Sequence, residues 1–115
     1  MIEKIREQIK ESFFYDARVR SLECNHFLDE VKFVFEDDNN EVIYHFEECY
    51  KIEMEHFVEY QKDIPYRNLT NSQIPYFIQN VEVNEVVINQ KDFIEFKIEM
   101  YPMKLLILCK KFYIG

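Results

Sequence analysis

The N-terminal stretch carries apolar residues at the spacing of a helix. They lie three or four positions apart, and charged residues fill most of the positions between them. This pattern predicts an amphipathic helix over residues 2–13 that packs its apolar side onto a sheet. The apolar residues of the predicted helix are Ile2, Ile5, Ile9 and Phe13.

From residue 17 onward, apolar and polar positions alternate in short runs, which is typical of half-buried strands. The alternation slips between Val19 and Leu22, where a β-bulge would account for the slip. The run over residues 105–109 is apolar on both faces, which indicates a central strand. The predicted strands cover about residues 17–24, 31–36, 42–46, 51–55, 77–83, 94–100 and 105–109.

The segments between the predicted strands carry residues that favour turns. Residues 37–40 are Asp-Asp-Asn-Asn and predict a hairpin turn, and residues 89–92 predict another. Residues 58–75 contain two prolines and predict a long loop with one helical turn, of a length that is often functional. Because the other connections are short, we expect an α+β fold with the N-terminal helix packed on a mostly antiparallel meander sheet of six to seven strands.

Length and composition support one packed domain over residues 1–115. Hydrophobic residues make up 48% and aromatic residues 17% of the chain, so a core can form without disulfides or metal. The only glycine is Gly115, which excludes the glycine-rich loops that bind phosphate or dinucleotides. We therefore expect no cofactor.

Three widely spaced cysteines and the lack of apolar targeting segments indicate the compartment. An odd, sparse set of cysteines is unlike a secreted disulfide scaffold. The N-terminal stretch has no apolar signal region, and no run approaches the ~20 apolar residues of a membrane span. The expected location is the cytoplasm.

The negative charge is concentrated in one window. The net charge is −8, and residues 36–63 carry 10 acidic side chains against only Lys51 and Lys62. Nucleic acids and anionic membranes would be repelled, whereas a cationic protein would be attracted. The alternative is a solvated face that keeps the protein soluble.

Candidate chemistry in the sequence is sparse. The histidines and cysteines do not have zinc-site spacing, so no metal site is predicted. Cys24 and His26 could share a strand face as nucleophile and base, but no glycine loop or oxyanion-hole signature accompanies them. Glu53 and Glu55 project from one strand face and could act as the acid and base of a glycosidase. However, such pairs arise by chance among 22 acidic residues. Residues 37–40 lack the glycine and the glutamate of a calcium loop. We predict no catalytic residue.

The third and fourth predicted strands would turn most of the acidic window to one side. If Tyr44, Phe46 and Ile52 point into the core, the residues between them point outward. Acidic side chains, together with an isoleucine, a histidine and a loop tyrosine, then form a surface suited to a protein partner. The predicted partner-binding residues are Glu36, Asp37, Asp38, Glu41, Ile43, His45, Glu47, Glu53, Glu55 and Tyr60.

Three short motifs resemble a known group of proteins. They are Phe14-x-Asp16-Ala17-Arg18-Val19, Val31-x-Phe33-x-Phe35 and Val42-x-Tyr44-x-Phe46. Over residues 13–57 the chain resembles small bacterial sheet proteins that include immunity proteins of polymorphic and contact-dependent toxin systems. The resemblance implies an inhibitor that covers the active site or an exosite of a toxin, in some families a cationic nuclease, and it carries over no catalytic residue.

These observations lead to a ranked set of functions. We expect an immunity-type protein that binds and neutralises a toxin domain through its acidic surface, in a complex weakened by salt and by reversing Glu53 and Glu55 to lysine. The first alternative is a cytoplasmic homodimer that pairs through an edge strand and has no catalytic activity. The second is a small enzyme that uses Cys24 and His26.

Overall fold

The computed structural model describes residues 2–37, 40–56, 66–68, 70 and 76–115. The predicted N-terminal helix is present but ends at Glu11. Phe13 lies beyond its end with a left-handed backbone (φ 53°) and is exposed, so the prediction that it packs onto the sheet was wrong. The elements are α1 (Ile2–Glu11), β1 (Arg18–Asn25), β2 (Glu30–Asp37), β3 (Asn40–His56), β4 (Asn80–Ile88), β5 (Lys91–Met100) and β6 (Met103–Ile114), with a 3-10 turn at Tyr66–Asn68.

In the described chain the strands form one six-stranded antiparallel sheet in the order β1-β2-β3-β6-β5-β4. The predicted meander therefore holds within β1-β2-β3 and within β4-β5-β6, but the connection from β3 to β4 crosses to the far edge. This crossing leaves β6 between β3 and β5. Strand β6 thus has a neighbouring strand on each side. Its apolar run over residues 105–109 is mostly buried, as the sequence predicts: the buried residues are Leu105, Ile107, Leu108 and Cys109.

The predicted third and fourth strands are a single strand, β3, of 17 residues. Its pairing with β6 shifts register between Cys49 and Lys51, and Glu48 has a left-handed backbone (φ 54°). A bulge lets one strand continue through a segment that breaks the alternation. The predicted bulge in β1 is confirmed by a register shift between Val19 and Ser21.

The two edges of the sheet meet at one end. Residues just before β4 pair with the start of β1: Ile78 N donates to Ala17 O at 2.9 Å, and Val19 N donates to Tyr76 O at 2.9 Å. Arg18 and Phe77 form an antiparallel bridge at the same place. The sheet therefore curls around its core. Most of the predicted loop over residues 58–75 lies outside the described residues; the 3-10 turn within it matches the expected helical turn.

Aromatic rings fill the inside of the curled sheet. Phe46 and Phe96 are fully buried, and their rings meet edge to face with centroids 4.8 Å apart. Helix α1 covers this side with Ile5 and Ile9, and Ser12 Oγ lies 2.6 Å from the buried hydroxyl of Tyr44. No helix in the described part of the chain is long and apolar enough to cross a membrane. Because α1 lies on the core side, the opposite side of the sheet presents the polar residues of the strands.

Candidate protein-binding site

The β2–β3 hairpin presents a row of polar residues on the side of the sheet opposite the core. Tyr44 and Phe46 of β3 are fully buried, so the alternating residues of that strand lie on the outer side. The chain reverses direction between Asp37 and Asn40, which are opposite each other in the strand register. This pairing confirms the predicted hairpin. We call the following outer residues the acidic patch: Glu30, Lys32, Glu36, Glu41, Ile43, His45, Glu47 and Tyr113.

An aromatic stack lies in the acidic patch. The rings of His45 and Tyr113 are nearly parallel, with centroids 4.4 Å apart, and Tyr113 Oη donates to Glu47 Oε2 at 3.2 Å. Desolvation and the neighbouring carboxylate of Glu47 raise the pKa of Tyr113, so its phenol stays protonated and remains a donor at neutral pH. Gly115 N donates to Ile43 O at 2.9 Å, which fixes the end of the chain beside the stack. The stack is a flat surface held in place before any partner binds.

Two pairs of glutamates are directly opposite each other across β2 and β3. Glu30 faces Glu47, and Glu36 faces Glu41. Like charges in this arrangement destabilise a sheet. Glu36 has an ion pair with Arg20, whereas Glu41 makes no ion pair within the described part of the chain. Arg20 therefore offsets one charge of the Glu36–Glu41 pair, whereas Glu41 keeps its negative charge without an ion pair among the described residues.

Glu53 and Glu55 form a second group on the same side, beyond the β3 bulge. Glu53 lies six positions after Glu47 along the strand, which corresponds to about 20 Å. Here opposite charges are interleaved: Lys51 Nζ lies 2.8 Å from Glu53 Oε1, and Glu55 is paired in register with Lys104. The hydrogen bond to Glu53 raises the pKa of Lys51. The predicted ribbon is one strand whose acidic residues fall into two groups, and Glu47 of the acidic patch is likewise paired in register with a lysine, Lys111.

The structure locates most of the predicted partner-binding residues. Glu36, Glu41, Ile43, His45 and Glu47 come together in the acidic patch, and Asp37 ends β2 beside it. Asp38 and Tyr60 lie outside the described residues. Sequence reasoning missed Glu30 and Tyr113. Glu30 could have been found by extending the β2–β3 register by one residue beyond Val31, whereas Tyr113 joins through the β3–β6 pairing, for which no local sequence signal exists.

The three cysteines do not have the properties of activated nucleophiles. Partial burial raises the pKa of the Cys24 thiol, and burial raises the pKa of Cys49 to about 11 and that of Cys109 to about 12. A nucleophilic cysteine needs a lowered pKa instead. His26 has its nearest carboxylate, Glu30 Oε2, at 3.8 Å. Among the described residues, no three histidine, cysteine, aspartate or glutamate side chains are grouped as a metal site would require.

We expect slow thiol alkylation in the folded protein. With a pKa of about 11, Cys49 holds about 100-fold less thiolate at neutral pH than an ordinary cysteine of pKa 9.0. Iodoacetamide at pH 7, followed by mass spectrometry, should modify Cys24 first and Cys49 and Cys109 only after unfolding in urea. Folded Cys24 that reacts faster than the urea-unfolded chain would instead support the enzyme alternative, and Cys24→Ser should remove that first adduct.

Comparison with known proteins identifies the family. The search of curated proteins found no match. The family model described as Immunity protein PIM7 matches residues 1–115. This match confirms the resemblance to immunity proteins drawn from residues 13–57. The chain belongs to the Immunity protein PIM7 family.

Proposed function

We propose that this protein neutralises a cognate toxin domain by binding a basic surface of the toxin to the acidic patch. The observation that carries the proposal is that two glutamates of β2 are opposite glutamates of β3 in the strand register, Glu30 with Glu47 and Glu36 with Glu41. Like charges in such directly opposed positions destabilise a sheet. Lysine or arginine side chains of a partner would relieve this repulsion. The free energy that the repulsion costs the free protein would then favour binding.

The aromatic stack would let the acidic patch bind arginine side chains of the partner in preference to lysine. Arginine guanidinium groups stack on aromatic faces and bind carboxylates with two parallel hydrogen bonds. Tyr113 is 45% exposed and lies beside the Glu47 carboxylate, so a guanidinium could contact both. A nuclease toxin binds phosphate through lysine and arginine, and its active site or an exosite would present such groups. The acidic patch and the aromatic stack therefore favour a cationic toxin of the nuclease class.

Neutralisation by contact needs no chemistry from the inhibitor. The raised pKa values of the three thiols support a binding role without catalysis. A negative surface also raises the rate at which a basic partner arrives. We place this inhibition in the cytoplasm, the compartment expected for a chain with three free thiols.

Two matched charge reversals test the proposed surface. The test needs the cognate toxin domain, to be sought in the reading frame upstream of this protein's gene, and calorimetry at 0.15 M salt gives the affinity. Glu41→Lys with Glu47→Lys should weaken binding about 100-fold, because it places cations against the basic partner. Glu53→Lys with Glu55→Lys should weaken binding by about 10-fold or less, because Lys51 already pairs with Glu53 in that group.

Both double variants change the net charge equally, so any difference between them comes from position. Raising the salt from 0.1 to 0.5 M should also weaken the wild-type complex. Equal effects of the two double variants, or an affinity that does not change with salt, would contradict the acidic patch as the binding surface.

The homodimer alternative stays a prediction. It would use an edge strand, and β4 has an exposed Val87 that suits pairing with a second copy. However, Arg6 already donates to Val83 O from Nε at 3.0 Å and from Nη2 at 2.7 Å, which occupies one backbone acceptor of this strand. Sedimentation without the toxin distinguishes the two functions, because a stable dimer would favour the alternative.

A further inference from the structure

The turn between β1 and β2 places bulky residues where small ones are usual. His26, Phe27 and Leu28 have φ angles of 52°, 55° and 75°, all in the left-handed region. This conformation is uncommon for residues other than glycine, asparagine and aspartate. The turn between β4 and β5 adopts it with Asn89 and Gln90. Turn geometry therefore does not explain why Phe27 and Leu28 occupy the tip of the first hairpin.

The side chains at this tip are turned into solvent. Phe27 is 106% exposed relative to a free reference residue, and Leu28 is 46% exposed. Single exposed apolar residues are common on protein surfaces, but two consecutive ones at the end of a hairpin form a projecting apolar tip. We call Phe27 and Leu28 the hairpin tip.

Backbone hydrogen bonds hold the hairpin tip in place. Asp29 N donates to His26 O at 3.1 Å, which closes the turn. Cys49 N then donates to Asp29 O at 3.1 Å, which ties the turn to the bulge of β3. The phenylalanine ring therefore projects from an anchored backbone, and little backbone freedom remains to be lost when a partner binds.

Two carboxylates lie at the base of the hairpin tip. Asp29 and Glu30 follow the tip directly; Asp29 O accepts from Cys49 N at the β3 bulge, and Glu30 is opposite Glu47 in β3. Glu48 lies in that bulge, with its carboxylate 3.0 Å from Lys111 Nζ. Glu30 also belongs to the acidic patch, so the hairpin tip continues the proposed binding surface. A partner that covers Phe27 would meet the carboxylates of Asp29 and Glu30, beside the Glu48–Lys111 ion pair.

We infer that Phe27, supported by Leu28, is the apolar anchor of the toxin complex. Its occupant is an apolar pocket on the toxin whose rim carries lysine and arginine side chains, because that rim complements the carboxylates at the base of the hairpin tip. The inference rests on the proposed function and adds a residue outside the predicted partner-binding set. Interfaces depend on a few such anchors, which lose water completely in their pockets.

A pair of phenylalanine substitutions tests the anchor. Phe13 is the matched control, because it too is a left-handed phenylalanine (φ 53°) that is largely exposed (71%), and it lies after α1, away from the hairpin tip. Asparagine tolerates this backbone, so Phe27→Asn and Phe13→Asn should both fold, with unchanged or slightly higher melting temperatures. Phe27→Asn should weaken binding of the cognate toxin domain at least about 30-fold, and Phe13→Asn less than about threefold.

The outcomes separate this inference from the function on which it rests. If the wild-type protein binds and Phe27→Asn binds within about threefold of it, the anchor is overturned and the proposed function stands. Equal losses for Phe27→Asn and Phe13→Asn would also overturn the anchor, because the effect would not depend on position. If the wild-type protein does not bind, the proposed function fails and the anchor fails with it.

Discussion

Replacing Phe46 by alanine should lower the free energy of unfolding by about 3–5 kcal/mol. Phe46 is fully buried, and its ring meets those of Phe96 and Phe112 with centroids 4.8 and 5.2 Å away. These three rings come from β3, β5 and β6, so a cavity here cannot be closed by moving one strand. Domains of this size are stabilised by only about 5–15 kcal/mol, so the variant should be close to unfolding. Urea titration at pH 7 measures the change.

Two substitutions control for this prediction. Phe46→Leu keeps most of the buried volume and should cost less than about 1.5 kcal/mol. Val87→Ala, at an exposed site in β4, should change stability by less than about 0.5 kcal/mol. If Phe46→Ala cost no more than Val87→Ala, the aromatic cluster would not be the core of the sheet.

The parts of the fold predicted from sequence are those set by local patterns. The alternation of Ile94, Phe96 and Ile98 gave the buried face of β5, and the slip after Val19 gave the bulge of β1. The continuity of β3 was missed because residues 47–50 break the alternation and resemble a gap between two strands. That gap is bridged by the pairing of Cys49 with Cys109, which are 60 positions apart in the sequence. Pairing over such distances leaves no trace in a local pattern.

The candidate site likewise combines residues that a local pattern predicts with residues that only long-range strand pairing brings in. Alternation along β3 was enough to place Ile43, His45 and Glu47 on one side. It could not bring Tyr113 beside them, because that contact depends on how β6 pairs with β3. Nor could it show that Phe27 projects, since the turn that carries it has a left-handed backbone at three residues that seldom adopt it, and the turn is tied to β3 by the hydrogen bond from Cys49 N to Asp29 O.

Stability should also fall steeply in alkaline solution. Cys109 and Tyr44 are fully buried, and burial raises the pKa of each to about 12, from ordinary values of 9.0 and 10.0. Below pH 9 both groups are neutral in the folded and unfolded chains and have no effect. As the pH rises further, the unfolded chain loses these protons first, so it binds fewer protons than the folded chain and stability falls.

The expected loss is large for two side chains. One pKa unit corresponds to about 1.4 kcal/mol, so at pH 12 the loss approaches about 4 kcal/mol for Cys109 and about 3 kcal/mol for Tyr44. Cys49, with a pKa of about 11, adds to the loss between pH 9 and 11. Lys51 and Lys111 act in the same direction, because their ion pairs with Glu53 and Glu48 raise their pKa and are lost on deprotonation.

Single substitutions distinguish the contribution of the buried Tyr44 and Cys109 to the alkaline loss of stability from that of the exposed lysines. Tyr44→Phe removes the hydrogen bond to Ser12 and should cost about 1 kcal/mol at pH 7, but this variant should lose less stability than the wild type between pH 10 and 12. Cys109→Ala should flatten the pH dependence from pH 9 upward, whatever its cost at pH 7. Urea unfolding at pH 7, 9, 10.5 and 11.5 gives the slopes. If both variants kept the wild-type slope, Cys49 and the exposed lysines would account for the alkaline loss, and Cys109 and Tyr44 would not.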